Sequence, residues 1–214
     1  MIGIHDLPLF VLAGLLLNVT PGPDMAYIAA RGATGGFRAG AAATLGITAG
    51  CFVHTLAAAF GLSVLIMASA TAFAIVKWCG AAFLLYLGIR LVVASFRRPG
   101  IGDTPAPALA PAPASKIFRE ALVINVLNPK VALFFLAFVP QFIDVDAAQP
   151  ALAFLLLGTL FNVNSLAVNL PVAWLAARVG RAGRARPRVV RVLHAGLGSL
   201  FVALAARLAV LDRS

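Results

Sequence analysis

Long apolar runs separated by short polar segments dominate the hydropathy pattern of this chain. A helix of about 20 apolar residues crosses the hydrocarbon core of a bilayer, and six runs of at least that length are present. They cover residues 7–30, 39–67, 71–93, 118–142, 147–177 and 189–211. The pattern therefore predicts an all-helical integral membrane protein with six transmembrane helices.

Two of the six runs contain residues that interrupt a continuous membrane helix. The first run contains Asn18-Val-Thr-Pro-Gly-Pro-Asp24, and the fourth contains Asn125-Val-Leu-Asn-Pro-Lys130. Each proline lacks an N–H, so the carbonyl four residues earlier loses its helical partner. In a membrane such irregular backbone must face protein or a water-filled cavity. Broken helices at corresponding places in two halves of a chain indicate a transporter binding site.

A segment rich in proline and alanine, residues 99–115, separates the third run from the fourth. Alternating proline and alanine favours extended structure that cannot bury a core. We therefore predict a linker at 99–115 between a first half, residues 1–98, and a second half, residues 116–214. Three spans per half is an odd number, so the second half starts on the opposite side of the membrane. The expected architecture is two inverted three-helix repeats.

Composition supports the membrane assignment and charge predicts its orientation. Hydrophobic residues make up 62% of the chain and charged residues 11%, whereas soluble domains carry about 25% charged residues. Of the 17 lysines and arginines, 13 lie in or beside the loops that follow spans one, three and five, and three lie on the other side. The positive-inside rule then places both termini outside the cytoplasm. The net charge of +10 is thus explained by orientation, and nucleic acid is not an expected partner.

The residues at the two breaks form the predicted substrate site. Freed carbonyls and asparagine amides there would bind the charged ends of a small solute, and Lys130, a charge within the membrane, would pair with a carboxylate. The candidates are Asn18, Thr20, Pro21, Gly22, Pro23, Asp24, Asn125, Asn128, Pro129 and Lys130.

Alternatives remain open for the polar residues of this group. Lys130 would otherwise be tied to helix carbonyls, and the asparagines would otherwise form interhelical hydrogen bonds. Asp24 either approaches Lys130 through a water or lies at the cytoplasmic interface beside Arg31 or Arg38.

Other polar residues within the runs have weaker claims. The fifth run carries a polar stripe at three- to four-residue spacing that would line a pore or bond neighbouring helices: Thr159, Asn162, Ser165 and Asn169. We expect Glu120 to be solvated or paired with Arg119 or Lys116, and His54 to have a packing role.

No motif in the sequence indicates an enzyme. Nucleophile-elbow, zinc-protease and phosphate-loop motifs are all absent, so no catalytic residue, cofactor or metal site is predicted. Cys51 and Cys79 lie inside apolar runs, which argues against a disulfide framework or a metal cluster.

The two broken stretches, Asn18–Asp24 and Asn125–Phe142, resemble those of the LysE/RhtB family of bacterial amino-acid exporters. The glycine-rich stretch Gly36–Gly50 and residues 80–89 extend the resemblance over nearly the whole chain. It implies an inner-membrane secondary transporter that exports amino acids or close derivatives, is driven by the proton gradient and is a candidate homodimer. The alternatives are export of another small solute or a metal ion, and a non-transporting membrane subunit.

Overall fold

The computed structural model describes residues 2–62, eight positions between 71 and 93, and residues 109–144 and 146–179. Within these ranges all elements of regular secondary structure are helices. One isolated antiparallel bridge joins Ile4 to Ile143. The eight described positions of the third predicted span are helical and exposed. The sixth predicted span and residues 99–108 of the linker lie outside the described residues, so the six-span, two-repeat architecture stays a prediction.

Five helices form the described part of the chain. They are α1 (Leu7–Val19), α2 (Pro23–Ala57), α3 (Ala114–Val126), α4 (Pro129–Leu133) and α5 (Pro150–Val179). A π-helical turn, Ala58–Leu62, follows α2, and a π turn and a 3-10 turn extend α4 to Phe142. Both predicted breaks are present, because α1 ends before Pro21 and the axes of the two segments around Asn128 differ by 50°.

Helix α2 folds back on itself at Gly36. This glycine has φ 74° and ψ −177°, a left-handed φ that other residues rarely adopt. A Cβ on Gly40 would lie 3.2 Å from the Cα of Gly32, although eight residues of straight helix span about 12 Å. The helix therefore consists of two arms, residues 23–35 and 37–57, and the turn lies between the first two predicted spans.

The continuation of the first arm to the turn changes the expected position of Asp24. Sequence alone placed this carboxylate about 9 Å from the end of its span, whereas the turn at Gly36 lies 12 residues, or about 18 Å, away. The first arm therefore continues about 9 Å further past Asp24 than the sequence predicts. Asp24 is 8% exposed.

Length and composition allow two of the described helices, Pro23–Gly61 and Pro150–Arg178, to cross a membrane. A third span results if Ala114–Val126 and Pro129–Phe142 are counted together. Large apolar side chains are exposed along these helices, with Leu127 at 74% and Phe60 at 68%. A hydrocarbon solvent accommodates such a surface better than water does.

Glycines on α2 allow α3 and α5 to pack closely against it. A Cβ on Gly46 would overlap the carbonyl oxygen of Phe118, and one on Gly50 would lie 2.6 Å from Asn125 Oδ1. On the other arm, a Cβ on Gly32 would lie 2.8 Å from the carbonyl oxygen of Ala173. Small residues at these positions therefore let the helix backbones approach closely.

A cluster of phenylalanines forms the apolar core on the side of the breaks away from the Gly36 turn. Each is at most 2% exposed, and neighbouring ring centroids lie 4.7 to 6.0 Å apart. Offset and edge-on pairs at this spacing are favourable. This aromatic cluster consists of Phe10, Phe134, Phe135, Phe138, Phe142 and Phe161.

We predict that Gly46→Ala destabilises the protein while Gly61→Ala does not. The added methyl at Gly46 meets the α3 backbone, whereas no described residue lies within 4 Å of a Cβ at Gly61. Overpacking costs about 1–3 kcal/mol, so the detergent-solubilised Gly46→Ala variant should unfold at a lower temperature. Equal unfolding temperatures for both variants would contradict the close α2–α3 contact.

Candidate functional site

The lysine that follows the second break caps the helix that precedes the first. Lys130 Nζ donates hydrogen bonds to the carbonyl oxygens of Leu17, at 3.1 Å, and Thr20, at 3.0 Å. The Leu17 carbonyl is the one left without a helical partner by Pro21. The ammonium also lies at the negative end of the α1 dipole, which favours a cation. The tie to helix carbonyls is thus present.

The aspartate that follows the first break contacts the helix that precedes the second. Asn125 Nδ2 donates a hydrogen bond to Asp24 Oδ2 at 2.8 Å. Asp24 is in the first turn of α2, where the positive end of the helix dipole favours a carboxylate. The interhelical role considered for Asn125 is therefore also present.

The second break satisfies its own backbone with nearby groups. Asn128 Oδ1 accepts a hydrogen bond from the Lys130 backbone N–H at 3.0 Å and so caps α4. The carbonyl of Asn125, freed by Pro129, accepts from the Asn128 backbone N–H at 2.9 Å. His54 Nε2 lies 3.2 Å from the same oxygen, and its ring stacks on Phe135. His54 has the packing role expected of it and adds a polar contact.

A small central cavity lies between the two breaks. Its volume is about 10 Å³, which is room for about one water molecule, whereas sites for drug-sized ligands measure about 300–1,000 Å³. The space is therefore too small for an amino acid. The lining residues are Leu17, Asn18, Asp24, Met25, Ile47, Cys51, Lys130, Val131, Phe161 and Asn169.

The cavity brings together four of the predicted polar residues, namely Asn18, Asp24, Lys130 and Asn169. Asp24 and Lys130 both face it, yet within the described ranges no ion pair of 4.0 Å or less joins them. Asn18 Nδ2 donates to its own helix, to Gly14 O at 2.9 Å. A direct Asp24–Lys130 bond is absent, and the two charges flank the same space.

The remaining predicted residues support the breaks from outside the cavity. Pro21, Pro23 and Pro129 are exposed, so they act on the backbone and do not line the central cavity. Thr20 Oγ1 donates to Leu16 O at 2.7 Å. A Cβ on Gly22 would lie 3.3 Å from Lys130 Nζ, so glycine here leaves room for the ammonium.

The polar stripe of α5 is only partly directed inward. Ser165 Oγ accepts a hydrogen bond from Asn169 Nδ2 at 3.0 Å, and Asn162 Nδ2 donates to Gly158 O at 2.9 Å. Those three side chains are buried, while Thr159 is exposed. Asn164, which the stripe did not include, is buried and approaches α1.

Sequence reasoning missed the apolar wall of the cavity. Met25, Ile47 and Phe161 contribute to it from three different segments. Within apolar spans these side chains carry no signal that separates a cavity wall from ordinary core, so only the fold identifies them.

Four buried side-chain atoms near the breaks or on α5 have no hydrogen-bond partner among the described residues. Such atoms are uncommon, because an unsatisfied buried polar atom costs about 1–3 kcal/mol, and they suit a site whose ligand supplies the missing partner. They are Asp24 Oδ1, Asn125 Oδ1, Asn128 Nδ2 and Asn162 Oδ1.

A polar network joins the first arm of α2 to α3 on the side of the Gly36 turn. Arg31 Nη2 donates to Glu120 Oε2 at 2.7 Å, and Tyr27 Oη donates to the same oxygen at 2.5 Å. The other two guanidinium nitrogens also donate: Nη1 to Ala110 O and Nε to Tyr27 Oη. Glu120 thus has Arg31 as its main partner, with Lys116 at 4.0 Å. The expected pairing with Arg119 is not formed among the described contacts.

We predict that Lys130→Met lowers the stability of the protein more than Lys130→Arg does. Methionine leaves the Leu17 and Thr20 carbonyls without the donor they now share, and each unsatisfied buried group costs about 1–3 kcal/mol. Arginine retains a donor. Thermal unfolding in detergent would measure this, with Lys116→Met as the exposed control. An unchanged unfolding temperature for Lys130→Met would show that the carbonyl tie is energetically unimportant.

Comparison with known proteins places this geometry in context. The family model for LysE type translocators matches residues 15–212. An uncharacterised membrane protein of Pseudomonas aeruginosa is 31% identical over 97% of this chain and 96% of its own. The leucine efflux protein of Klebsiella pneumoniae is 30% identical over 98% of this chain and 97% of its own. The leucine efflux protein of Salmonella typhimurium is 29% identical over 98% and 97%. No solved structure matches the chain.

Proposed function

The chain belongs to the LysE type translocator family, and from that premise we propose that it exports amino acids or close derivatives from the bacterial cytoplasm. The observation that carries the proposal is the pair of broken helices that meet around one small cavity lined by Asp24 and Lys130. Membership in a translocator family also supports a transporter over an enzyme.

An amino acid with an aliphatic side chain, leucine first, is the proposed cargo. Two relatives that match nearly the full chain are named leucine efflux proteins. The apolar wall formed by Met25, Ile47 and Phe161 suits a branched hydrocarbon, because burying it removes apolar area from water.

Transport would proceed by alternating access, through rocking of the first half against the second. The supporting observation is that packed side chains lie on both sides of the small central cavity. The Tyr27–Arg31–Glu120 network lies toward the Gly36 turn, and the aromatic cluster lies on the other side. Opening either closure alone would connect the cavity to one side of the membrane.

The proposed architecture comprises inverted repeats at residues 1–98 and 116–214, joined by the linker at 99–115. The reciprocal contacts of Lys130 and Asp24 across the two breaks support this symmetry. On this topology the Gly36 turn is cytoplasmic and both termini are outside. A homodimer in the inner membrane is the proposed assembly.

We propose that the proton gradient drives export. The sequence carries no phosphate-binding loop, which leaves a secondary mechanism for the chain alone.

Efflux from proteoliposomes loaded with a mixture of labelled amino acids tests the proposal. We expect wild-type protein to release one or a few aliphatic amino acids under a proton gradient, and Lys130→Ala or an uncoupler to abolish that release. Arg119→Gln, an exposed charge on α3, serves as the control variant. If no amino acid leaves faster than from protein-free liposomes loaded in the same way, the cargo is another solute or the chain is a non-transporting subunit.

The proposed closure near the turn makes a second prediction. In a Cys79→Ser background, Glu120→Gln should increase the labelling rate of Cys51, which lines the cavity, by a membrane-impermeant thiol reagent added on the linker side. Loss of the charge-assisted bonds from Tyr27 and Arg31 weakens that closure. Labelling of Cys51 at the wild-type rate would show that this network does not limit access to the cavity.

A further inference from the structure

Two opposite charges face the central cavity without bonding each other. Asp24 and Lys130 both line it, and among the described residues no ion pair of 4.0 Å or less connects them. In an apolar interior two facing charges gain most by direct contact. Here each charge is instead bound to the backbone or side chain of the opposite break, which leaves the space between them available.

Each of these charges has hydrogen-bonding capacity that the protein does not use. Asp24 Oδ2 accepts from Asn125, while Asp24 Oδ1 is buried and has no partner within the described ranges. An ammonium has three N–H donors, and the described contacts of Lys130 use two of them, on Leu17 O and Thr20 O. One acceptor and one donor therefore remain at the cavity.

The site holds both charges in place before a ligand arrives. Asp24 lies in the first turn of α2, and Lys130 lies at the C-terminal end of α1, so each helix dipole favours the charge beside it. The contacts with Asn125 and the two carbonyls fix the side chains. A ligand that supplies one cation and one anion would meet both charges with little reorganisation.

Resting on the proposed function, we propose that Asp24 binds the α-ammonium group and Lys130 the α-carboxylate of the same zwitterionic amino acid. The ammonium donates to the unpaired Asp24 Oδ1, and the carboxylate accepts the third N–H of Lys130. The apolar wall of Met25, Ile47 and Phe161 then contacts the aliphatic side chain. Because the cavity holds only about 10 Å³, this binding requires the opened form of the site.

This assignment makes both ends of the ligand necessary for binding. Leucinamide keeps the ammonium but has no carboxylate, and 4-methylpentanoate keeps the carboxylate but has no ammonium. Charge-assisted hydrogen bonds to a desolvated partner are worth about 1.5–3 kcal/mol, so each analogue should bind roughly 10- to 100-fold more weakly than leucine.

Ligand-dependent thermal stabilisation of the purified protein in detergent tests the assignment without requiring transport. Leucine, isoleucine, valine and methionine are screened first, and leucine is then compared with leucinamide and 4-methylpentanoate. We expect an aliphatic amino acid to raise the unfolding temperature and each analogue to do so only at much higher concentration. The proposal would be overturned if none of the four amino acids raised the unfolding temperature. Equal stabilisation by leucine and both analogues would also overturn it.

Two variants separate ligand recognition from structural support. Asp24→Asn should reduce the preference for leucine over 4-methylpentanoate, and Lys130→Gln should reduce the preference for leucine over leucinamide. Each variant should keep the other preference. Asp146→Asn and Arg119→Gln remove one exposed charge each and should keep both preferences. A purely structural role would weaken binding of all three ligands equally and leave the ratios unchanged, which contradicts the assignment.

The outcome is independent of the efflux experiment. Transport of amino acids by a protein that binds leucine and both analogues equally would refute this recognition mode and leave the proposed function standing. Two-ended recognition in detergent without efflux from proteoliposomes would refute export and support the binding assignment.

Discussion

The unpaired backbone at two proline breaks is the constraint on which the rest of the structure depends. A carbonyl without a partner costs several kcal/mol in hydrocarbon, and each break frees such a carbonyl. The Leu17 carbonyl is satisfied by Lys130 from the opposite half of the chain, and the Asn125 carbonyl by Asn128 with His54 close by. The second break satisfies its own carbonyl, whereas the first is completed by Lys130, so the two breaks meet.

This meeting determines how the surrounding helices pack. Asn125 reaches Asp24 only because Gly50 allows α3 to lie directly against the second arm of α2. The first arm is kept at the same depth by the reversal at Gly36. The cavity is thus a consequence of the two breaks and of the small residues beside them, and its walls come from every one of α1, α2, α4 and α5.

The sequence predicted those features that depend on local chemistry. The prolines predicted both breaks. Three polar residues beside these prolines, Asn18, Asp24 and Lys130, line the cavity. The sequence underestimated how far the first arm continues past Asp24, because apolar periodicity does not show where a helix ends. It found Lys116 as one partner of Glu120 but missed Arg31, since contact with Arg31 spans 89 positions of the chain. Thr159 shared the spacing of the stripe but is exposed, because spacing along α5 does not show which side packs against other helices.

The absence of a direct bond between Asp24 and Lys130 connects structure to function. A closed ion pair would satisfy both charges, and a ligand would then have to break it at a cost of several kcal/mol. Backbone carbonyls and an amide hold the charges instead. These partners leave one acceptor unused on Asp24 and one N–H donor unused on Lys130. The closed state is therefore stable enough to exist, yet the remaining unpaired atoms favour any ligand that can bridge them. A transporter needs this balance, because a site whose polar groups are all bonded to its own residues gains no hydrogen bonds when a solute binds.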